Sequence, residues 1–158
     1  MIHIHVEVDV DRGIDDVFDF FSDPESRLQW QPELVSHQHE PMRLGADVTE
    51  VRNVLGRRLE LRGRVTEFAQ NRTIAYHSEG PVVKSIAYHY RFEPVGHRTR
   101  IYVEVNFEPN EALGQSRQLI QSIVKRNVEN AMEHLQEVLE NEEAARHLRS
   151  HLPRHAHP

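Results

Sequence analysis

The side chains in this chain best suited to chemistry are tyrosines and histidines. Tyr76, Tyr88 and Tyr90 stand among aliphatic neighbours, and each phenol can donate a hydrogen bond to a ligand carbonyl. His37, His39 and His77 lie in or beside the same extended stretches. A histidine near its ordinary pKa, paired with a phenol, could abstract a proton next to a carbonyl and hold the enolate that forms. Alternation argues against that pairing. His77 follows Tyr76 directly, and His89 separates Tyr88 from Tyr90, so on a strand the imidazoles and phenols face opposite ways. No catalytic residue is assigned on this basis. A further group is His147, His151 and His155, at steps of four, followed by His157. Two such histidines on a helix can share a metal ion. Pro153 interrupts the run and no carboxylate stands in register, so neither a metal nor a cofactor is expected.

These side chains must be held by ordinary secondary structure. Ile2, Ile4, Val6 and Val8 alternate with His3, His5 and Glu7, which predicts a half-buried strand over 2–8. Ile14, Val17, Phe18 and Phe21 then recur at helical spacing, giving a short helix over 14–22. Asp23 and Pro24 cap and open a second, brief helix that ends near Trp30, before Pro32. Six further strands follow. They are a weak one over 34–39, then 48–55, a run in which Leu59, Leu61, Gly63 and Val65 alternate with arginines and Glu60, 73–78, a run through Ile86, Tyr88, Tyr90 and Phe92, and a last one through Ile101, Val103, Val105 and Phe107. Short connections predict antiparallel neighbours. One apolar and one polar face per strand predict a sheet covered on one side.

The cover is the stretch 111–143. Ile120, Val124, Val128, Ala131, Leu135 and Val138 form one helical face, widened by Ile123, Met132 and Leu139. Asn110 is placed to cap it and Glu111 to complement its dipole. Such a helix spans roughly 45–50 Å. If the apolar sheet face looks at it, the space between is lined by Leu61, Tyr76, Ile86, Tyr88, Tyr90, Val103, Val105 and Phe107, with Ile120, Val124 and Val128 opposite. Trp30 stands either at the mouth of that space or as an anchor for the short helices. Residues 2–145 read as a single domain, and 146–158, RHLRSHLPRHAHP, as a loose His-rich tail.

Bulk properties narrow the function classes. A chain of 158 residues suits one domain. The formal charge of −6 argues against nucleic acid, and Arg57, Arg58, Arg62 and Arg64 read as the outer face of a strand. Without cysteine there is no disulfide, thiol nucleophile or thiolate metal site, which fits a reducing compartment. No segment approaches the ~18 apolar residues of a membrane span, and MIHIHVEVDVD lacks the regions of a signal peptide. The expected location is cytoplasmic. The edge strand 2–8 is free to pair with a second copy as a homodimer.

The order strand, two short helices, six strands, long helix is accompanied by Val17-Phe18-Asp19-Phe20-Phe21, Asp23-Pro24, Trp30, Pro32, Gly45, Val54-Leu55-Gly56 and Thr99. Over residues 2–142 this resembles the START-like (SRPBCC) superfamily, and within it the polyketide cyclase/dehydrase and lipid-transport branch. The resemblance implies an α+β helix-grip fold, a seven-stranded antiparallel sheet wrapped around a long C-terminal helix. It further implies a cavity for a small hydrophobic, lipid- or polyketide-like molecule. Three functions are compatible with it: a carrier, a cyclase or dehydratase working by proton transfer in the same cavity, and a protein-interaction module of the chaperone-associated kind.

Overall fold

The computed structural model describes residues 1–37, 40–54 and 56–150, with side chains given up to residue 142. The strands are β1 (Ile2–Val10), β2 (Leu34–His37), β3 (Asp47–Val54), β4 (Arg57–Ala69), β5 (Thr73–Gly80), β6 (Val83–Val95) and β7 (Arg98–Pro109). The helices are α1 (Ile14–Ser22), α2 (Arg27–Trp30) and α3 (Arg117–Ser150). All seven strands form one antiparallel sheet in the order β1-β7-β6-β5-β4-β3-β2. The helix-grip architecture expected from the sequence is therefore present. Among the described residues, no helix is long and apolar enough to cross a membrane.

The sheet curls because its ladders slip. Pairing shifts register between Val65 and Glu67 of β4, Ser78 and Gly80 of β5, and Val83 and Ser85 of β6. Each irregularity bends the strand and increases its twist. Gly63 permits the closest approach. A Cβ there would lie 1.6 Å from the His77 carbonyl oxygen, so β4 and β5 pair at this point only around a missing side chain.

The concave face closes on α3. Ile120, Val124, Val128, Ala131, Met132, Leu135 and Leu139 are buried, whereas Val138, placed in the central stripe by spacing, is half-buried. Two boundaries of this helix differ from expectation. Asn110 caps a separate 3-10 turn, Glu111–Leu113, by accepting from the Ala112 amide, and Gly114 ends that turn at φ +69. The long helix begins only at Arg117, where the Ser116 hydroxyl accepts from the Leu119 amide. At its other end the helical backbone continues to Ser150, into the stretch read as a tail. Residues 151–158 lie outside the described residues, and the side chains of His147 to His157 are not described.

Helix α1 fills one end of the concavity. Phe18 meets Phe92 edge-on at 5.1 Å, and Phe21 meets Tyr90 at 4.6 Å. Trp30 is 1% exposed and stacks on Phe21 at 4.8 Å, so it occupies the anchor position of its two expected ones. The turn before α1 is tied to the far end of α3. Arg12 donates to the Leu139 carbonyl (3.2 Å) and to Asp16 (2.8 Å), and the Asp11 amide donates to Glu140 (3.0 Å). Thr99, fully buried on β7, donates to the Arg12 carbonyl at 2.9 Å. Replacing Thr99 by Val keeps the shape but strands that carbonyl. The expected cost is about 1–2 kcal/mol in urea unfolding, and an unchanged midpoint would mean that the carbonyl finds water instead.

Candidate ligand cavity and its polar end

Between the sheet and α3 lies a small cavity lined by Glu33, Arg52, Val54, Leu59, Leu61, Val83, Ile86, Tyr88, Phe107, Val124, Asn127 and Val128. Of the twelve side chains expected to face a ligand, Leu61, Ile86, Tyr88, Phe107, Val124 and Val128 meet here. Trp30, Tyr76, Tyr90, Val103, Val105 and Ile120 are buried elsewhere in the same core. The free space is about 20 Å³, enough for a single water-sized group. Outside it, an open depression of about 260 Å³ is lined by Arg57, Leu59, Leu61, Pro81 and Val83, among others. Leu59, Leu61 and Val83 line both spaces, so these side chains form the wall between them. Arg57, at the rim, donates to the Ala112 carbonyl at 3.2 Å, linking the start of β4 to the turn that precedes α3.

One end of the cavity is strongly polar. The expectation of one apolar and one polar face per strand does not hold for β3, whose alternation places Val48, Glu50 and Arg52 inward. Glu50 and Arg52 are 3% and 2% exposed. Arg27 of α2 is likewise buried. Arg52 donates through Nε to Glu50 Oε2 (2.7 Å), through Nη1 to Glu33 Oε1 (2.6 Å), and through Nη2 to Gln31 Oε1 (2.8 Å) and the Tyr76 hydroxyl (3.1 Å). Arg27 Nη2 donates to Glu50 Oε1 at 2.5 Å and approaches the Tyr76 hydroxyl at 3.5 Å. Two guanidinium groups thus face two carboxylates, and Gln31 and Tyr76 complete the network.

This network fixes protonation states. Burial pushes the Glu50 carboxyl up, but Arg52 and Arg27 outweigh it and hold Glu50 at about 2. Burial opposes charge on both arginines too, and Glu50 reverses the balance, so both stay cationic. The phenols of Tyr76, Tyr88 and Tyr90 are pushed above the ordinary tyrosine range, chiefly by burial. They are neutral hydrogen-bonding groups. Tyr88 stacks on Tyr76 at 4.8 Å, and the Arg52 guanidinium lies 5.3 Å from the Tyr88 ring centroid.

His77 and His89 fall on the outer face, as alternation predicts. His77 bonds to Ser85 across the outer face at 3.0 Å, and His89 pairs with Glu67 at 3.2 Å. His37 ends β2 and is half-buried, and His39 lies outside the described residues. Arg58, Arg62 and Arg64 are exposed, as read.

A seven-stranded sheet gripping one long helix around a small cavity with a charged end defines the class, a helix-grip fold. A profile of the family described as "Polyketide cyclase / dehydrase and lipid transport" matches residues 1–140, and the chain belongs to that family. Solved structures share the fold. A START superfamily protein from Mycobacterium smegmatis is 17% identical with a TM-score of 0.76, over 89% of this chain and 99% of that one. The Zhui aromatase/cyclase from Streptomyces sp. R1128 is 19% identical with a TM-score of 0.76, over 87% and 93%. A protein from Thermus thermophilus is 19% identical with a TM-score of 0.74, over 89% and 98%. No curated protein sequence matches the chain.

Proposed function

We propose that the protein binds one small, largely apolar molecule between the sheet and α3, with its polar group set against Glu33, Arg52, Tyr88 and Asn127. The observation that carries this reading is an aliphatic and aromatic cavity ending in a prebuilt ionic network. Ligand sites commonly combine apolar walls with a few fixed polar groups, in pockets of roughly 300–1,000 Å³. The present cavity is far smaller, so binding requires Leu59, Leu61 and Val83 to move and join it to the outer depression. That is a change of side-chain rotamers at one wall, with the far end of α3 still tied to the turn before α1. A cytoplasmic carrier of this kind has no need of a metal or cofactor.

The alternative is a cyclase or dehydratase acting by proton transfer, in keeping with the family description. What favours it is one neutral phenol, Tyr88, and one carboxylate, Glu33, lining the same cavity. Against it, Glu50 is clamped by two arginines and held at about 2, so it is no base at neutral pH. The test is native mass spectrometry of fresh protein, followed by titration with the neutral fluorophore N-phenyl-1-naphthylamine. A co-purifying apolar molecule, or saturable binding of one fluorophore per chain, is expected. A clean apo mass together with no fluorophore binding would mean that the core is simply filled.

A further inference from the structure

We infer that Glu33 selects apolar ligands carrying an uncharged hydroxyl over the matching carboxylates and over molecules without a donor. This rests on the cavity being the ligand site. Two arginines at the polar end would ordinarily suit an anion, yet both already face carboxylates. Arg52 uses Nε, Nη1 and Nη2 on Glu50, Glu33, Gln31 and Tyr76, and Arg27 is turned to Glu50. Arg27 keeps one nitrogen, Nη1, without a partner among the described residues, but Arg27 does not line the cavity. An entering carboxylate would meet a guanidinium with four of its five N–H groups engaged and the Glu33 carboxylate beside it, and like charges so placed repel.

What Glu33 lacks is a donor to its second oxygen. Glu33 lines the cavity, and while Oε1 accepts from Arg52, Oε2 is buried and takes no hydrogen bond among the described residues. An ionised carboxylate oxygen can only accept, and leaving it unpaired away from water is costly. A ligand hydroxyl supplies the missing proton. Asn127 lines the same space from α3, and its amide can accept from or donate to that hydroxyl.

The test is displacement of bound N-phenyl-1-naphthylamine at pH 7 by three compounds of similar size: 2-naphthol, 2-methoxynaphthalene and 2-naphthoic acid. A purely apolar pocket would favour the methyl ether. The Glu33 inference expects 2-naphthol to bind about tenfold more tightly than either of the others. In Glu33→Gln, whose amide can donate to a carboxylate, the gap between 2-naphthol and 2-naphthoic acid is expected to close by about tenfold. Should that variant fail to fold, the alcohol and ether compared on the unaltered protein decide the matter alone. Equal displacement by all three compounds overturns the role of Glu33 and leaves the pocket standing. No binding of the fluorophore removes the pocket, and the inference with it.

Discussion

Replacing Glu50 by Leu is expected to cost about 3–5 kcal/mol of stability, because it leaves two buried guanidinium groups short of a carboxylate. Arg52 retains Glu33 at 2.6 Å, but Arg27 loses its only charged partner among the described residues. Urea unfolding near neutral pH measures the loss, and a change below about 1 kcal/mol would mean that the arginines find water. The same carboxyl predicts an acid limb. Glu50 sits at about 2, below the ordinary 4.5. A depressed carboxyl stabilises the fold fully above the ordinary value, and the contribution drains away as pH falls from about 4.5 toward 2. It amounts to about 3 kcal/mol, and the Leu variant should lack that part of the pH dependence.

The ionic network is not explained by stability alone. Replacing all four charged members together, Arg27→Met, Glu33→Leu, Glu50→Leu and Arg52→Met, is expected to restore stability to within about 1–2 kcal/mol of the original, since apolar substitutes often serve as well as a buried ion cluster. A quadruple variant that melts normally but no longer orders ligands by their polar group would assign the network to recognition. A quadruple variant that stays unfolded would assign it to the fold.

The largest effect on binding is expected from Val124→Trp. Val124 lines the cavity from α3 and is 6% exposed. An indole there occupies the space a ligand must open, and affinity for N-phenyl-1-naphthylamine should fall by at least about tenfold, while overpacking costs about 1–3 kcal/mol. A variant that folds and binds the fluorophore unchanged would move the site away from α3.

The fold was readable because period-two and helical patterns are printed directly in the residue order. Tyr76, Tyr88 and Tyr90 were placed inward by the same alternation that placed His77 and His89 outward. The polar end of the cavity was harder to see. Arg27, Glu50 and Arg52 carry charges, and a charged residue is almost never fully buried unless paired. Its partner comes from another element, so no local pattern shows the pairing. The signal was still present in β3, where Glu50 and Arg52 take the places in the Val48–Val54 alternation that apolar residues would normally fill. Asn110 misled for a related reason. It is a real cap, but Gly114 in the left-handed region closes its turn after three residues, and only the Ser116 contact starts the long helix. The size of the cavity depends on the packing of Leu59, Leu61 and Val83, and sequence spacing carries no information about that.

The pairing of β1 with β7 also has a bearing on how the chain is made. Ile2 sits opposite Phe107 and Val10 opposite Thr99. Of these seven strands the first made therefore has no ladder partner until the seventh is synthesised, about 5–20 s later at ordinary elongation rates. Arg12 waits longer still, for the Leu139 carbonyl. Strands β2 to β7 can zip in sequence as they emerge, each onto its predecessor, while residues 2–10 remain an unpaired, β-prone segment. The alternating His3, His5, Glu7 and Asp9 give that segment a polar face during the wait, which guards against edge-to-edge association.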